Sequence, residues 1–430
     1  MLDRNISPPI VPIDDIRFAS LKSCQLSCGT PLYYLDQGDQ EVVRIDLMVS
    51  AGKWNQTKPL VSSLTNLMLK EGAGNLSSKQ IAEQLDYYGS WLQLSDGFHY
   101  SYLTVYTLNK FFKETLAILQ KMFQEPTFPE DIFETLVNRF KRQFLVNNEK
   151  VQYLANKTFV KTLFGTSHPY GQSAELDDYD RVTVDDLKEF HRRYYQSNTL
   201  RIILSGKVTD EMIATCDSLC IKNKSRLISS ETGEPLSFSP EKELPRGRVF
   251  VEKKGALQNA VRMGLPVINR SHPDFPGLRV VNTLLGGYFG SRLMSSIREE
   301  KGYTYGISSI MTTLQHAAYL SIATETACEH TEALIAEVYR EITRLQTEPV
   351  SSQELEMVKN YMLGDFTRSL DGTFSLIDAH LSLLATGMEV DFLHRQVEAV
   401  KKSTPEEIKS LAQRYLNKEM FVEVVAGVTQ

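Results

Sequence analysis

The chain has 430 residues, 42% hydrophobic and 23% charged, enough to bury a substantial core and, by length, to form two to three domains. A net charge of −6 and a pI near 5.9 give no electrostatic footprint for nucleic acid or an anionic membrane surface. No stretch is apolar for long enough to span a bilayer, and Met1-Leu-Asp-Arg-Asn-Ile-Ser-Pro-Pro-Ile10 carries acid and proline where a signal peptide needs a basic start and an apolar run. A soluble, cytoplasmic chain is therefore expected, without a nucleic-acid or membrane partner.

In chain order, Cys24 and Cys28 flank an extended stretch leading into Pro31-Leu-Tyr-Tyr-Leu35, and a strand follows at Val42–Met48. Val61-Ser-Ser-Leu-Thr-Asn-Leu-Met-Leu-Lys-Glu-Gly72 is helical, and Leu103–Leu108 is a second strand. Apolar residues at 3–4 spacing make a helix near Phe112–Phe123, which stops at Glu125-Pro126, and Pro129 with Glu130 and Asp131 opens the next. Thr183 with Asp186 three residues on caps a helix that leads into a strand ending at Gly206. The second half repeats the plan with strands at Ala260–Pro266 and Ala318–Ala323, a Thr404/Glu407 cap and a last strand ending at Gly427. Arg193, Tyr194 and Gly206 match Arg414, Tyr415 and Gly427 at an offset of 221, and Glu125-Pro126 matches Glu348-Pro349 at 223. A repeat of this length is a whole domain. The expected fold is therefore α+β: two homologous domains, each a mostly antiparallel sheet with helices on one face, arranged as a clamshell. The expected boundaries are 1–224 and 248–430, joined by a Ser-, Pro-, Gly- and charge-rich linker at 225–247.

The eight histidines are scattered, the nearest two being fourteen residues apart, so no pair has the helical spacing of metal ligands. Four of five cysteines form two C-x-x-x-C pairs, Cys24/Cys28 and Cys216/Cys220. Four residues of strand separate side chains by roughly 13 Å, too far for Cys24 and Cys28 to share an ion. Two thiolates from Cys216 and Cys220 alone make an incomplete structural site. A sparse, odd cysteine count suits a reducing compartment.

The most informative segment is Arg298-Glu-Glu-Lys-Gly-Tyr-Thr-Tyr305, just after the glycine-rich turn Leu284-Leu-Gly-Gly-Tyr-Phe-Gly-Ser-Arg-Leu293. The turn lacks the Lys-Ser/Thr of a phosphate loop, so its glycines are expected to serve close packing or a flexible segment at a cleft. With the duplication and with Gln258 in Lys254-Gly-Ala-Leu-Gln-Asn-Ala-Val261, this segment resembles the C-terminal half of insulinase/pitrilysin-type zinc peptidases, the superfamily of the mitochondrial processing peptidase and its bacterial relatives. The resemblance runs from about Ile16 to the end. It implies that Arg298 and Tyr305 reach the catalytic cleft as donors to developing negative charge. Taken alone, Arg298 would be a cation at a helix C-terminus and Tyr305 the start of a strand, with Tyr303 of the same parity nearby. The family's zinc helix, His-x-x-Glu-His, resembles the segment from Val61, yet Ser62, Thr65 and Asn66 stand where the two imidazoles and the carboxylate belong. The third ligand is a Glu on a later helix; Phe140-Lys-Arg-Gln-Phe-Leu145 offers Gln143.

The resemblance thus implies a zinc-free pseudoenzyme: one subunit of a heterodimeric metalloendopeptidase. A homologous partner subunit would bring the zinc, this chain would bring Arg298 and Tyr305, and peptides or unfolded proteins would be hydrolysed. A non-enzymatic peptide-binding or scaffold homologue is the alternative. This chain is expected to bind no cofactor itself.

Overall fold

The computed structural model describes residue 13 and residues 16–196, 198–221 and 247–429. Runs of β-branched and aromatic residues punctuated by amphipathic segments build one sheet from each half of the chain. In the first half the strands are β1 (Lys22–Gln25), β2 (Pro31–Asp36), β3 (Val42–Val49), β4 (Trp91–Asp96), β5 (Ser101–Leu108) and β6 (Arg201–Gly206). Its main helices are α1 (Val61–Met68), α2 (Ser78–Tyr87), α3 (Phe112–Gln124), α4 (Glu130–Asn148), α5 (Val151–Phe164), α6 (Val184–Phe190) and α7 (Asp210–Thr215). In the second half the strands are β7 (Arg248–Glu252), β8 (Gln258–Val267), β9 (Ile307–Thr313), β10 (Ala318–Ala327) and β11 (Val422–Gly427). The helices are α8 (Phe275–Asn282), α9 (Thr331–Thr347), α10 (Ser352–Ser369), α11 (Thr373–Thr386), α12 (Asp391–Lys402) and α13 (Pro405–Tyr415).

The first sheet has the order β1-β2-β6-β3-β5-β4 and the second β9-β10-β8-β11-β7. Setting β1 aside, both follow one plan. The half's first strand lies parallel to its last, β2 to β6 and β7 to β11. All other pairings are antiparallel. The α+β class with a mostly antiparallel sheet in each half is thus what the chain adopts. The linker expected at 225–247 lies, but for Gly247, outside the described residues.

Local chemistry starts the helices where the sequence marks them. The Thr183 hydroxyl accepts from the Asp186 backbone N–H while Asp186 accepts from the Thr183 N–H, and Ser77 with Gln80 makes the same reciprocal cap at α2. One face of each sheet packs on helices of its own half. Val43, Ile45, Leu47 and Leu103 meet α1, α3 and α6, and Val261, Met263, Leu265 and Leu320 meet α8, α9 and α13.

The opposite faces are covered by an exchange that the one-face expectation did not include. Helix α5 of the first half lies across β8 and β11 of the second, where Ala155 and Phe159 join Ala260, Val422 and Val424. In return α11 of the second half covers the first sheet, with Leu376, Ile377 and Leu381 on Leu35, Met48 and Ile203. The two helices are equivalent, offset by 222 at both ends. Each fully buried side chain of this kind contributes about 1.5–3 kcal/mol relative to exposure.

Polar contacts reinforce the exchange. Arg44 in β3 donates from Nε and Nη2 to both oxygens of buried Asp46, at 2.8 and 2.9 Å, and pairs through Nη1 with Asp378 of α11 at 2.8 Å. Thr104 donates to Asp46 at 2.6 Å, so that carboxylate is fully engaged.

Cysteine placement departs from expectation. The strand stops at Gln25, and a turn in which the Leu26 N–H donates to the Thr30 carbonyl carries Cys28 to the end of the first half. There it forms a disulfide with Cys220, their Cα atoms 5.8 Å apart. The extended geometry assumed between Cys24 and Cys28 is thereby corrected, and one cysteine of each C-x-x-x-C pair meets one of the other. Cys24, Cys216 and Cys328 remain thiols. Burial, followed by the charges of Asp217 and Cys24, pushes the Cys216 thiol up to about 12.

Candidate functional site

Helix α1 carries the three positions that match the zinc helix, and it presents them to the protein interior. Ser62 and Thr65 are 0% exposed and Asn66 is 1% exposed. The Ser62 hydroxyl donates to the Ala51 carbonyl at 2.8 Å and the Thr65 hydroxyl to the Val61 carbonyl at 2.7 Å. Asn66 donates to the Ser95 carbonyl at 2.8 Å and accepts from the Tyr195 hydroxyl at 3.1 Å. The nearby carboxylate of Asp96, at the end of β4, is held by Ser63 at 2.6 Å and Lys53 at 3.3 Å. Gln143 is exposed on α4, where its amide bonds along its own helix to Asn147 at 3.0 Å. These residues do not fit zinc. Hydroxyls and an amide are poor zinc donors, and these already spend their polar atoms on backbone and side-chain partners. Among the described residues no group of three or more His, Cys, Asp or Glu side chains is arranged to hold a metal ion.

The Arg/Tyr segment is placed the opposite way. Two π-helical turns, at Thr283–Gly287 and Met294–Glu300, bracket the glycine-rich turn, and the second contains Arg298. A Cβ on Gly286 would sit 2.7 Å from the Ser309 Cβ, so glycine there lets the turn press against β9. Arg298 donates from Nε to the Tyr305 carbonyl at 3.1 Å and lies over the Phe289 ring at 4.7 Å. Tyr305 is 93% exposed and precedes β9 by two residues. Tyr303, of the same parity, turns inward and stacks on His330 with ring centroids 4.8 Å apart. Of the two, Tyr305 is thus the exposed side chain.

Tyr305 lines a cavity of about 270 Å³ together with Gln258, Arg262 and Glu325 of the second half and Gln152 of α5. Gln258, singled out by the resemblance, therefore shares a cavity with Tyr305, and the exchanged helix contributes a wall. Arg262, Gln152 and Glu325 escaped sequence reasoning. The signal for Arg262 was present, a cation between Val261 and Met263 in an otherwise apolar strand. Burial holds its guanidinium below the ordinary value, with Tyr319 and Glu325 acting against that shift.

Three of the scattered histidines also converge, at the contact between the halves. His99 Nε2 lies 2.7 Å from the Tyr170 hydroxyl, which accepts from the His316 backbone N–H at 3.1 Å. The His99 and His316 rings are 5.0 Å apart, Trp54 lies against both, and His168 packs on Tyr170. Burial first, and His316 second, pull His99 down to about 4, so at neutral pH the cluster is an uncharged aromatic contact.

A family model described as the peptidase M16 inactive domain matches residues 181–362. Over those residues the chain is similar to M16 peptidases. Among curated relatives, an uncharacterized zinc protease YmxG of Bacillus subtilis is 21% identical over 390 residues, covering 89% of this chain and 93% of its own. A protein of Helicobacter pylori named as a non-peptidase homolog YmxG is 23% identical over 350 residues, covering 79% and 78%. Among solved structures, a peptidase M16 inactive domain from Pseudomonas fluorescens superposes with a TM-score of 0.85 at 22% identity, over 96% of this chain and all of that one. A protease from Helicobacter pylori superposes at 0.81 with 17% identity and the same coverage. Among the described residues no helix is long and apolar enough to cross a membrane.

Proposed function

We propose that this chain is the zinc-free subunit of a heteromeric M16 metalloendopeptidase, built as two homologous domains, 1–224 and 248–430, joined by 225–247. A homologous partner supplies the zinc, and Arg298 and Tyr305 are this chain's contribution to hydrolysis of peptides or unfolded proteins. One observation carries the reading: the zinc-helix positions are sealed in the interior, whereas Tyr305 is exposed beside a cavity with Arg298 bonded to its carbonyl. A guanidinium and a phenol so placed are donors for charge that develops on a peptide carbonyl oxygen. A cytoplasmic location belongs to this reading, and the Cys28–Cys220 disulfide stands against it, since such bonds persist in oxidising compartments.

The test is reconstitution with a zinc-bearing M16 partner. Cleavage of an unfolded peptide is expected only from the mixture. Arg298→Ala or Tyr305→Phe should lower turnover by roughly ten- to a thousandfold while complex formation stays unchanged. Wild-type rates from both variants in an intact complex would instead favour a peptide-binding scaffold. One observation speaks for that second reading: β4 and β9 are sheet edges onto which an extended peptide can add as a further strand.

A further inference from the structure

Arg270 and Arg279 share a cavity of about 400 Å³ in the second half, bounded by β9, α8, α11 and α12. A second cavity of about 290 Å³ continues from it past Arg279, Met311 and Ser369. Arg270, in the loop before α8, donates from Nε to the Thr313 hydroxyl at 2.8 Å and from Nη1 to the Ser382 hydroxyl at 3.0 Å. Arg279 donates from Nη1 to the Gln396 Oε1 at 2.8 Å. None of these partners is a carboxylate. The two acids at the cavity walls have other commitments, Asp378 to Arg44 and Asp365 to Arg368. Gln396 is buried, and its Nε2 has no partner, so a donor beside Arg279 is also unsatisfied.

Two partly buried cations with neutral partners in one cavity repel one another and lose hydration, an arrangement that costs stability unless an anion completes it. Burial depresses both guanidinium groups below their ordinary value. For Arg279 the neighbouring charge of Arg270 adds to the effect and Asp365 opposes it. Each arginine lies over an aromatic ring, Arg270 over Phe392 and Arg279 over Phe366, which fixes the guanidinium planes.

We propose that this cavity binds a small oxyanion, a phosphate or carboxylate group, between Arg270 and Arg279. The planar forks of two arginines match the oxygens of either group, and the hydroxyl of Ser375 at the wall can donate to the same ligand. Phe392, Leu393 and Met311 offer an apolar side to the remainder of an organic anion.

Equilibrium dialysis of the full chain against labelled inorganic phosphate, and separately labelled succinate, tests the proposal, with ionic strength held constant by chloride. Saturable binding of about one anion per chain is expected, weakened at least ~tenfold in Arg270→Gln and in Arg279→Met, since each loses one charged fork. Binding of phosphate alone identifies a phosphate ligand, and binding of succinate alone a carboxylate. In anion-free buffer Arg279→Met is expected to melt at or above the wild-type temperature, because an uncompensated cation has been removed. Absence of saturable binding, equal binding by wild type and both variants, or an Arg279→Met loss of melting temperature that is the same with and without phosphate would overturn the proposal.

Discussion

At the scale of single residues, two buried ionisable groups make the fold's sharpest demands. Asp46 is 0% exposed and is answered by Arg44 and Thr104. Asp46→Ala leaves the buried Arg44 with the exposed Asp378 as its remaining ion-pair partner, and denaturant unfolding should show a loss of about 3–5 kcal/mol. His191 donates to the Phe123 carbonyl at 2.8 Å, and burial pulls it down to about 4 although that bond acts in the opposite direction. The unfolded chain takes up this proton near pH 6.5, so the stabilising effect of a neutral His191 is complete above that pH and fades as the pH falls towards 4. Unfolding midpoints measured at pH 7 and pH 5 should differ by on the order of 2 kcal/mol from this residue, and His191→Gln should remove that part of the difference. Neither group was legible in the sequence. Arg44 and Asp46 alternate through an apolar strand, which marks them as facing one side together, but their partner Asp378 lies more than three hundred residues away, and no local pattern announces a contact of that range.

Among the elements, α1 is a structural helix. Its shape, its place after β3 and its packing against α6 and β4 follow the apolar spacing of Val61, Leu64 and Met68, which is why the sequence located it. What the sequence could not give is how far the interior closes over Ser62, Thr65 and Asn66, since that depends on Ala51, Ser95 and Tyr195 from other elements. Grafting Ser62→His, Thr65→Glu and Asn66→His, together with the exposed and isosteric Gln143→Glu, therefore forces three large polar groups into filled space, at about 1–3 kcal/mol for each overpacked site. The expected result is a lowered melting temperature and less than one zinc per chain by elemental analysis. A stable variant holding one zinc would show that the helix reopens with little resistance. The glycine-rich turn and the Arg298–Tyr305 segment were legible for a different reason. They stood out by resemblance, and the π-helical winding around them was hidden.

For the whole molecule, the reciprocal loan of α5 and α11 predicts that the halves fold together. Expressed alone, residues 247–430 would uncover Ala260, Val422 and Val424, which α5 shields, and residues 16–221 would uncover Met48 and Ile203, which α11 shields. Each fragment alone should be largely insoluble, whereas co-expression should yield a soluble pair on size exclusion. Separately folded, soluble halves would count against a shared core. The duplication made two similar halves readable from offsets of 221 and 223, and the matched sheet orders bear out that repetition. The exchange between them was not readable, because α5 and α11 have the amphipathic pattern of any surface helix and nothing in that pattern says whose sheet they cover. The Cys28–Cys220 bond gives the first half one more property, a topological one. It turns residues 28–220 into a covalent ring, with the remaining chain leaving from the clasp. A protease that cuts once inside that ring opens the loop without releasing a piece, so the nicked chain should run at full mass on a non-reducing gel and separate into two bands only after reduction.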